Sequence, residues 1–565
     1  MFDLDYSRLI EQLVYQPESP MIFSSGIFLF LFLGFTLVYN SLNRADTLRI
    51  LFVTLFSYYF YYKSSGLFFW LLALVTISDY YIAKAIGSLS PLQLPLEGEG
   101  AKQNVEDRPD GPKPLSGRGL GRLLVFLSLL LDLGLLVFFK YTNFLGESIC
   151  TLLTDWGIHV PSSISGSYLR GVVWQPRDIF LPVGISFFTF QSLSYTIDVY
   201  RGNIKPLDRL LDYAFYVSFF PQLVAGPIVR ARDFIPQIRR PLFVSPEMFG
   251  SGVFFIIAGL FKKAVISDYI SVNFVERIFD QPDLYSGLEN LLAVYGYTLQ
   301  IYCDFSGYSD MAIGIALLLG FQFPKNFDSP YRSSSITEFW RRWHISLSSW
   351  LKDYLYISLG GNRRGKVRQY FNLLITMLLG GLWHGASLNF ILWGGIHGLL
   401  LCLDKIWHSL CSTLSPLTYM KTLSPTLPHN GEGAPSGQGN FTPSPLWGRV
   451  GVKVFGGLLT FHLVAALWVL FRAPSFGIAE QMFHQIWNKF EPQIFLQWCT
   501  SYKGVAFLML LGYLLHWLPE SLSDKVKAVI TKCPLLVKGL LIVALIWLVI
   551  QIKSSDVQPF IYFQF

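Results

Sequence analysis

RLLVFLSLLLDLGLLVFFK, residues 122–140, is long and apolar enough to cross a bilayer as a helix, for which ~20 mostly apolar residues suffice. Runs of similar length recur near 21–39, 48–62, 66–84, 179–200, 211–228, 250–267, 287–303, 307–321, 371–383, 387–404, 453–471, 505–518 and 534–552. Stretches such as 179–200 and 307–321 contain Gly, Pro or charge and are candidates for broken or re-entrant segments. Such backbone is tolerated at membrane depth only where protein or a water-filled cavity covers it. The pattern predicts an all-α polytopic membrane protein of about 11–14 membrane segments.

The rest of the composition agrees. Of 565 residues, 52% are hydrophobic and 14% charged, against roughly 25% charged in a soluble domain. A string of soluble domains is therefore excluded, and the lipid bilayer is the first partner. The 49 Phe, 29 Tyr and 15 Trp suit lipid-facing and interfacial positions. The net charge of +7 points to no nucleic acid; excess Lys and Arg belong in cytoplasmic loops.

By that rule the leading tail, with Arg8 as its cation, lies outside, and the 41–50 loop, with Arg44 and Arg49, lies in the cytoplasm. The basic stretch 341–368 falls on the cytoplasmic face as well. Asp3, Asp5, Glu11 and Glu18 leave the N-terminus without the basic region of a signal peptide, so the first apolar segment is expected to persist. The six cysteines form no C-x-x-C pair and no ligand spacing with histidine, so they read as core fillers, without disulfide framework or metal site.

Segments 91–121 and 413–451 are rich in Pro, Gly, Ser and charge and read as mobile loops, the first cytoplasmic. LPLEGEGA (94–101) in one is echoed by LPHNGEGA (427–434) in the other. The repeat is either a docking motif or, as such composition favours, low-complexity insertion. His429 lies there and His159 in another polar loop, while His408, His484 and His516 sit near segment ends as surface or interface residues.

An ionisable group at membrane depth costs at least ~2.5 kcal/mol and is a functional candidate by default. His344, His384, His397 and His462 remain. His384 stands in Gly380-Gly381-Leu382-Trp383-His384-Gly385-Ala386. Glycines on both sides leave room for a substrate near the backbone and Trp383 offers a flat wall, though small residues equally permit close helix packing. His344 ends Phe339-Trp340-Arg341-Arg342-Trp343-His344; at helical spacing Trp340, Trp343, Leu347, Trp350 and Leu351 share a stripe, the pattern of an amphipathic interfacial anchor. No carboxylate or thiolate at ligand spacing supports a metal at these histidines. In YCDFSGYSD (302–310), Asp304 and Asp310 either orient a histidine or hold a broken helix; the structural role is favoured. His397, in Gly394-Gly395-Ile396-His397-Gly398, either assists or bonds a neighbouring helix.

Five blocks in order carry a resemblance: PVGISFFTFQSLSYTIDVYRG (182–202), FFPQLVAGPIVR (219–230), YCDFSGYSDMAIG (302–314), FPKNFDSPYRSSSITEFWRRWHISLSSWLKDYLYISLGGNRRG (323–365) and GGLWHGASLNFILWGGIHG (380–398). The chain resembles the membrane-bound O-acyltransferase (MBOAT) family, and within it the bacterial alginate O-acetyltransferase branch. The resemblance implies a helical ring around a tunnel, with 122–412 as the catalytic core between N-terminal helices in 1–90 and C-terminal helices in 452–565. It implies a catalytic His384 and a supporting His344. Trp383, Asp310, Trp340, Arg341, Arg342 and Asn326, within these blocks, are the expected substrate-binding residues.

No bound cofactor is implied; the acyl donor expected is acetyl-CoA or another acyl thioester on the cytoplasmic side of the inner membrane. A partner of the SGNH-hydrolase type would complete O-acetylation of an exported or envelope polysaccharide. D-alanyl transfer to a teichoic-acid-type polymer is the alternative within the family. A transporter that moves its cargo unaltered is the alternative outside it.

Overall fold

The computed structural model describes residues 11–17, 20–43, 46–89, 115–156, 165–167, 172–174, 179–414, 446–552 and 560–561. The Gly-Glu-Gly repeat, Arg8, Arg44, His159 and His429 lie outside the described residues. The principal helices are α1 (Gly26–Ser41), α2 (Asp46–Ser65), α3 (Phe69–Leu89), α4 (Leu115–Leu136), α5 (Thr142–Asp155), α6 (Ile185–Arg201), α7 (Leu210–Ser218) and α8 (Pro246–Leu260). They continue with α9 (Gly287–Leu318), α10 (Ile336–Arg342), α11 (Ile345–Trp350), α12 (Lys366–His384), α13 (Leu388–Leu414), α14 (Leu446–Arg472), α15 (Lys503–Trp517) and α16 (Leu535–Ile552). One short antiparallel pairing, Ser165–Ser167 with Val172–Trp174, is the only sheet among the described residues.

Local chemistry fixes several boundaries. Ser286 and Glu289 form a reciprocal capping box that starts α9, Ser245 caps α8 ahead of Pro246, and Gly202 in the left-handed region ends α6. The loops expected over 91–121 and 413–451 lie mostly outside the described residues, but their last parts are helical, from Leu115 and from Leu446. A few polar residues at a helix start do not prevent the apolar run behind them from propagating the helix.

The chain divides into two compact units. The first comprises Met1–Asn326, Trp383–Leu388 and Gly477–Phe565, the second Phe327–Leu382 and Asn389–Phe476. In the first, Phe220 is fully buried among Phe35, Phe56 and Phe60, with ring centroids 5.1 to 5.8 Å away. Helices α8 and α9 meet there through glycines: a Cβ on Gly314 would stand 2.7 Å from the Gly252 carbonyl oxygen, and one on Gly307 the same distance from that of Gly259. In the second unit Trp393 stacks on Trp468 at 5.7 Å and Trp343 meets Trp468 at 4.9 Å.

Among the described residues, five helical stretches are long and apolar enough to cross a bilayer: Asp46–Leu89, Gly119–Asp155, Pro246–Asp280, Leu388–Cys411 and Lys453–Arg472. Two bent pairs, Pro492–Ser501 with Lys503–Trp517 and Glu520–Lys532 with Leu535–Gln551, bring the number to seven if each is one span. Leu123, Phe126 and Leu130 on α4 are exposed, as a lipid-facing surface requires. The all-α polytopic expectation holds; among the described residues, five to seven stretches pass by length and apolarity, against the about 11–14 membrane segments expected. The difference lies in polar interiors. Helix α9 buries Asn290, Gln300, Asp304, Ser306 and Ser309, and α6 buries Gln191, Ser192, Ser194 and Asp198, which lowers their hydropathy below that of a simple span.

The cysteines are core fillers only in part. Cys150 and Cys303 are buried, Cys402, Cys499 and Cys533 are half-buried, and Cys411 is exposed, all as free thiols. His516, expected at a surface, is instead buried edge-on to Tyr302 at 4.5 Å.

Candidate active site

His384 is the last residue of α12 and is buried, 4% exposed. A helix end leaves backbone carbonyls without intrahelical donors. Here a side chain supplies them: Lys140 Nζ donates to the carbonyl oxygens of Trp383 at 2.6 Å and His384 at 2.8 Å. Trp383 lies over Phe190, with centroids 5.3 Å apart and planes 21° apart, and edge-on to Phe187 at 5.8 Å. The His384 ring stands against Trp383 at 4.8 Å and 74°. Two ring contacts and two carbonyl caps thus fix the Trp383–His384 pair.

His384 faces a cleft of about 30 Å³, whose lining includes Lys140, Pro182, Gly184, Phe187, Val224 and Trp383. That is room for roughly two waters, at 10–15 Å³ each. Gly184 makes one wall possible: its φ is +74°, and a Cβ would stand 2.7 Å from the Leu223 carbonyl oxygen and 3.2 Å from the Val224 Cα. Only glycine meets both demands. An imidazole beside a small cleft can take a proton from a hydroxyl held there.

The second histidine lies in the other unit. His344 is fully buried between α10 and α11, with φ +42°. Its Nδ1 is 3.4 Å from Ser346 Oγ and its ring stacks on Phe327 at 6.2 Å. Burial lowers its pKa from 6.5 to about 3, so it is neutral at physiological pH. The left-handed residue also breaks the single amphipathic helix expected to carry the stripe from Trp340 to Leu351. Trp343, Leu347, Trp350 and Leu351 are buried within protein, so the interfacial-anchor reading fails for them. An i,i+3/i+4 stripe continues unbroken through such a corner and cannot reveal it.

The remaining expected residues divide by what holds them. Asp310 pairs with Lys262 at 2.7 Å and Asp304 with Lys263 at 2.6 Å, and α9 runs unbroken through both, so the broken helix expected there is not what they hold. Asn326 is buried and donates to Ser309 Oγ at 3.1 Å. Arg342 bridges Glu338 at 2.9 Å and Asp328 at 3.3 Å, whereas Arg341 is exposed. Trp340 donates from its indole N–H to His397 Nδ1 at 3.3 Å, so His397 bonds a neighbouring helix. His462 lies exposed on α14, and His408 and His484 are exposed too. Trp383, His384, Asp310 and Asn326 belong to the first unit; Trp340, Arg341, Arg342 and His344 belong to the second.

The glycines around position 381 serve packing. A Cβ on Gly381 would come within 2.9 Å of the Gly394 Cα, so α12 and α13 meet backbone to backbone there, and the clearance read as space for substrate is filled by helix. Lys140 escaped the sequence reading although it closes the decisive 122–140 run; a lone cation ending an apolar span was the available signal. Among the described residues no group of three His, Cys, Asp or Glu could hold a metal ion.

Residues 203–424 match the sequence profile of MBOAT, the membrane-bound O-acyltransferase family. The chain is 33% identical over 563 residues to a probable alginate O-acetylase of Pseudomonas putida, covering 96% of this chain and 100% of that protein. It is 35% identical over 380 residues to the peptidoglycan O-acetyltransferase of Helicobacter pylori, with 63% and 62% of the two chains covered. To the teichoic acid D-alanyltransferase of Bacillus subtilis it is 31% identical over 241 residues, 40% of this chain and 59% of that one.

Proposed function

The chain belongs to the membrane-bound O-acyltransferase family and is a multi-pass membrane O-acyltransferase; from that premise we propose that it moves an acetyl group from a cytoplasmic thioester toward an exported or envelope polysaccharide, with His384 as general base. Membership in an enzyme family sets aside the transporter reading. The observation that carries the proposal is the Trp383–His384 end of α12, capped by Lys140 and facing a cleft of about 30 Å³. A space for two waters suits an acetyl group and a hydroxyl oxygen.

The step is an acyl exchange. The hydroxyl oxygen attacks the thioester carbonyl carbon while His384 accepts the hydroxyl proton, a contribution typically of 10²–10⁴ in rate. Collapse of the tetrahedral intermediate breaks the C–S bond, and the imidazolium returns the proton to the departing thiolate. Ester and thiol are the products, with no net proton change. His344 is proposed as the supporting histidine, in the neutral form that its burial favours.

The donor is proposed to arrive as acetyl-CoA or a related thioester from the cytoplasm, across the inner membrane. Arg341, Lys352, Arg363, Arg364, Lys366 and Arg368 are exposed, which supports a cytoplasmic face there by the positive-inside rule and leaves guanidinium groups for donor phosphates. The N-terminus is proposed to lie outside, because the leading tail carries Arg8 alone whereas the 41–50 loop carries Arg44 and Arg49. An SGNH-hydrolase-type partner is proposed to complete transfer to the glycan.

Substituting His384→Ala should leave the protein in the membrane and abolish O-acetylation of the exported glycan. Unchanged acetylation would reject the assignment. The D-alanyltransferase similarity keeps one rival, D-alanyl transfer, which mass spectrometry of the envelope polymers distinguishes by the group added.

A further inference from the structure

Two aspartates that the acyl exchange does not use meet inside the helical core. Asp79 on α3 and Asp132 on α4 are both fully buried, and they lie within the apolar stretches Asp46–Leu89 and Gly119–Asp155. An ionisable group at that depth is a functional candidate by default. Asp79 Oδ1 accepts from Ser128 Oγ at 2.7 Å and its Oδ2 accepts from the Ser192 hydroxyl, whose oxygen lies 2.7 Å from the Tyr213 hydroxyl. With the Ser192 proton given to Asp79, Tyr213 is the donor of that last bond. Ser128, Ser192 and Tyr213 are fully buried as well.

Asp132 has no such donors. Neither of its oxygens receives a hydrogen bond from a described residue, and the polar group within its hydrogen-bonding range is the Asp79 carboxyl. Two ionised carboxylates are acceptors only and cannot bond each other. No Lys, Arg or His among the described residues pairs with either one, and a buried charge without a partner is strongly disfavoured.

We infer that Asp79 and Asp132 form a proton-binding site, in which the Asp132 carboxyl donates one shared proton to Asp79 and so joins α3 to α4. One proton leaves a single negative charge on the pair, as in other paired carboxyl groups, and the Ser128 and Ser192 hydroxyls already stabilise it. A metal cation would have to separate two groups that lie within hydrogen-bonding range. The joint also bears on the candidate active site. The helical run carrying Asp132 reaches Lys140, the cap of Trp383 and His384, about two turns on. Helix α6, which supplies Ser192, begins at the Gly184 wall of the His384 cleft.

The test does not use acetyl transfer, so it stands or fails apart from the His384 reading. The full-length parent, Asp132→Asn and Asp79→Asn are compared in detergent by infrared spectroscopy and thermal melting. At neutral pH the parent should show the carbonyl band of a protonated carboxylic acid that both variants lack, because an amide N–H then makes the bond between the two side chains. An unfolded chain releases its aspartate protons near an ordinary pKa of about 3.9. The folded parent keeps one above that, so its stability relative to Asp132→Asn should fall as pH rises, by about tenfold in the folding equilibrium per pH unit. The other titratable side chains around the pair are Tyr80, Tyr195 and Tyr213, which with an ordinary pKa of about 10 stay uncharged through neutral pH. His344 titrates alike in parent and variant and cancels.

A parent spectrum at neutral pH without a protonated carboxylic acid would overturn the site by itself. An acid band of equal size in all three proteins, or melting temperatures that shift with pH in parallel, would overturn it too. A parent melting temperature raised by sodium chloride over choline chloride at equal ionic strength, with the variants unaffected, would replace the proton by a metal cation. If one asparagine variant does not accumulate, the other carries the comparison, since each keeps one carboxylate and one amide donor.

Discussion

The Lys140 side-chain nitrogen donates to the backbone carbonyl oxygen of His384 at 2.8 Å and to that of Trp383 at 2.6 Å. Each such hydrogen bond contributes about 0.5–1.5 kcal/mol and the pair about 1–3 kcal/mol, and each 1.4 kcal/mol of lost positioning corresponds to tenfold in rate. Lys140→Met should therefore lower acetyl transfer roughly 10- to 100-fold with the protein still in the membrane. Lys140→Arg, which can still donate to carbonyls, should recover part of it. Full activity in Lys140→Met would show that the cap does not position His384.

Gly184 combines a φ of +74° with a contact that no Cβ can share, 2.7 Å from the Leu223 carbonyl oxygen. Gly365 offers a comparison: its φ is +86°, yet nothing lies within 4 Å of its Cβ position. A left-handed conformation alone costs an L-residue about 1–2 kcal/mol. Gly365→Ala should lower the melting temperature by that conformational cost, and Gly184→Ala by distinctly more, with reduced transfer because the His384 cleft shifts. Equal melting temperatures for the two variants would mean that the backbone at 223–224 yields.

Hydropathy disclosed the helical, membrane-embedded class because lipid acts on every span alike, and α4 shows the rule at its plainest. It overcounted where polar residues are buried within protein, as in α9. The corner at His344 was illegible because a helical stripe of Trp and Leu reads the same across a break. Lys140 was hidden for a different reason: its partners lie more than 240 positions along the chain. Position 384 was legible as a candidate, but its glycine neighbours suggested open space where helices in fact touch. Sequence pattern reports periodicity and composition, while caps and close approaches depend on tertiary placement.

His344 provides a pH test. Burial lowers its folded pKa to about 3, below the ordinary 6.5, so the unfolded chain binds a proton that the folded one refuses. Its contribution to stability is whole above about pH 6.5 and declines as pH falls toward 3. His344→Asn keeps a residue type that tolerates the left-handed region and removes this titration. Between pH 7 and 5 the variant should lose less thermal stability than the parent. Identical losses in melting temperature would contradict the assignment. Any ionisation seen in transfer rates between pH 6 and 8 should persist in the variant.

Lys263 is 2% exposed and bridges Asp304 at 2.6 Å and Asp268 at 2.7 Å, while Asp304 also accepts the Ile561 backbone N–H at 3.0 Å. Removing one partner of a buried pair strands the other charge, at a typical cost of 3–5 kcal/mol. Lys263→Met should thus destabilise more than Asp304→Asn, because it strands carboxylates and an asparagine oxygen can still accept from Ile561. Combining the two substitutions should restore part of the loss, since fewer buried charges then lack a counterion. Thermal melting of the three variants in detergent gives the ranking, and a double variant whose loss equals the sum of its singles would show that the pair does not act as a unit.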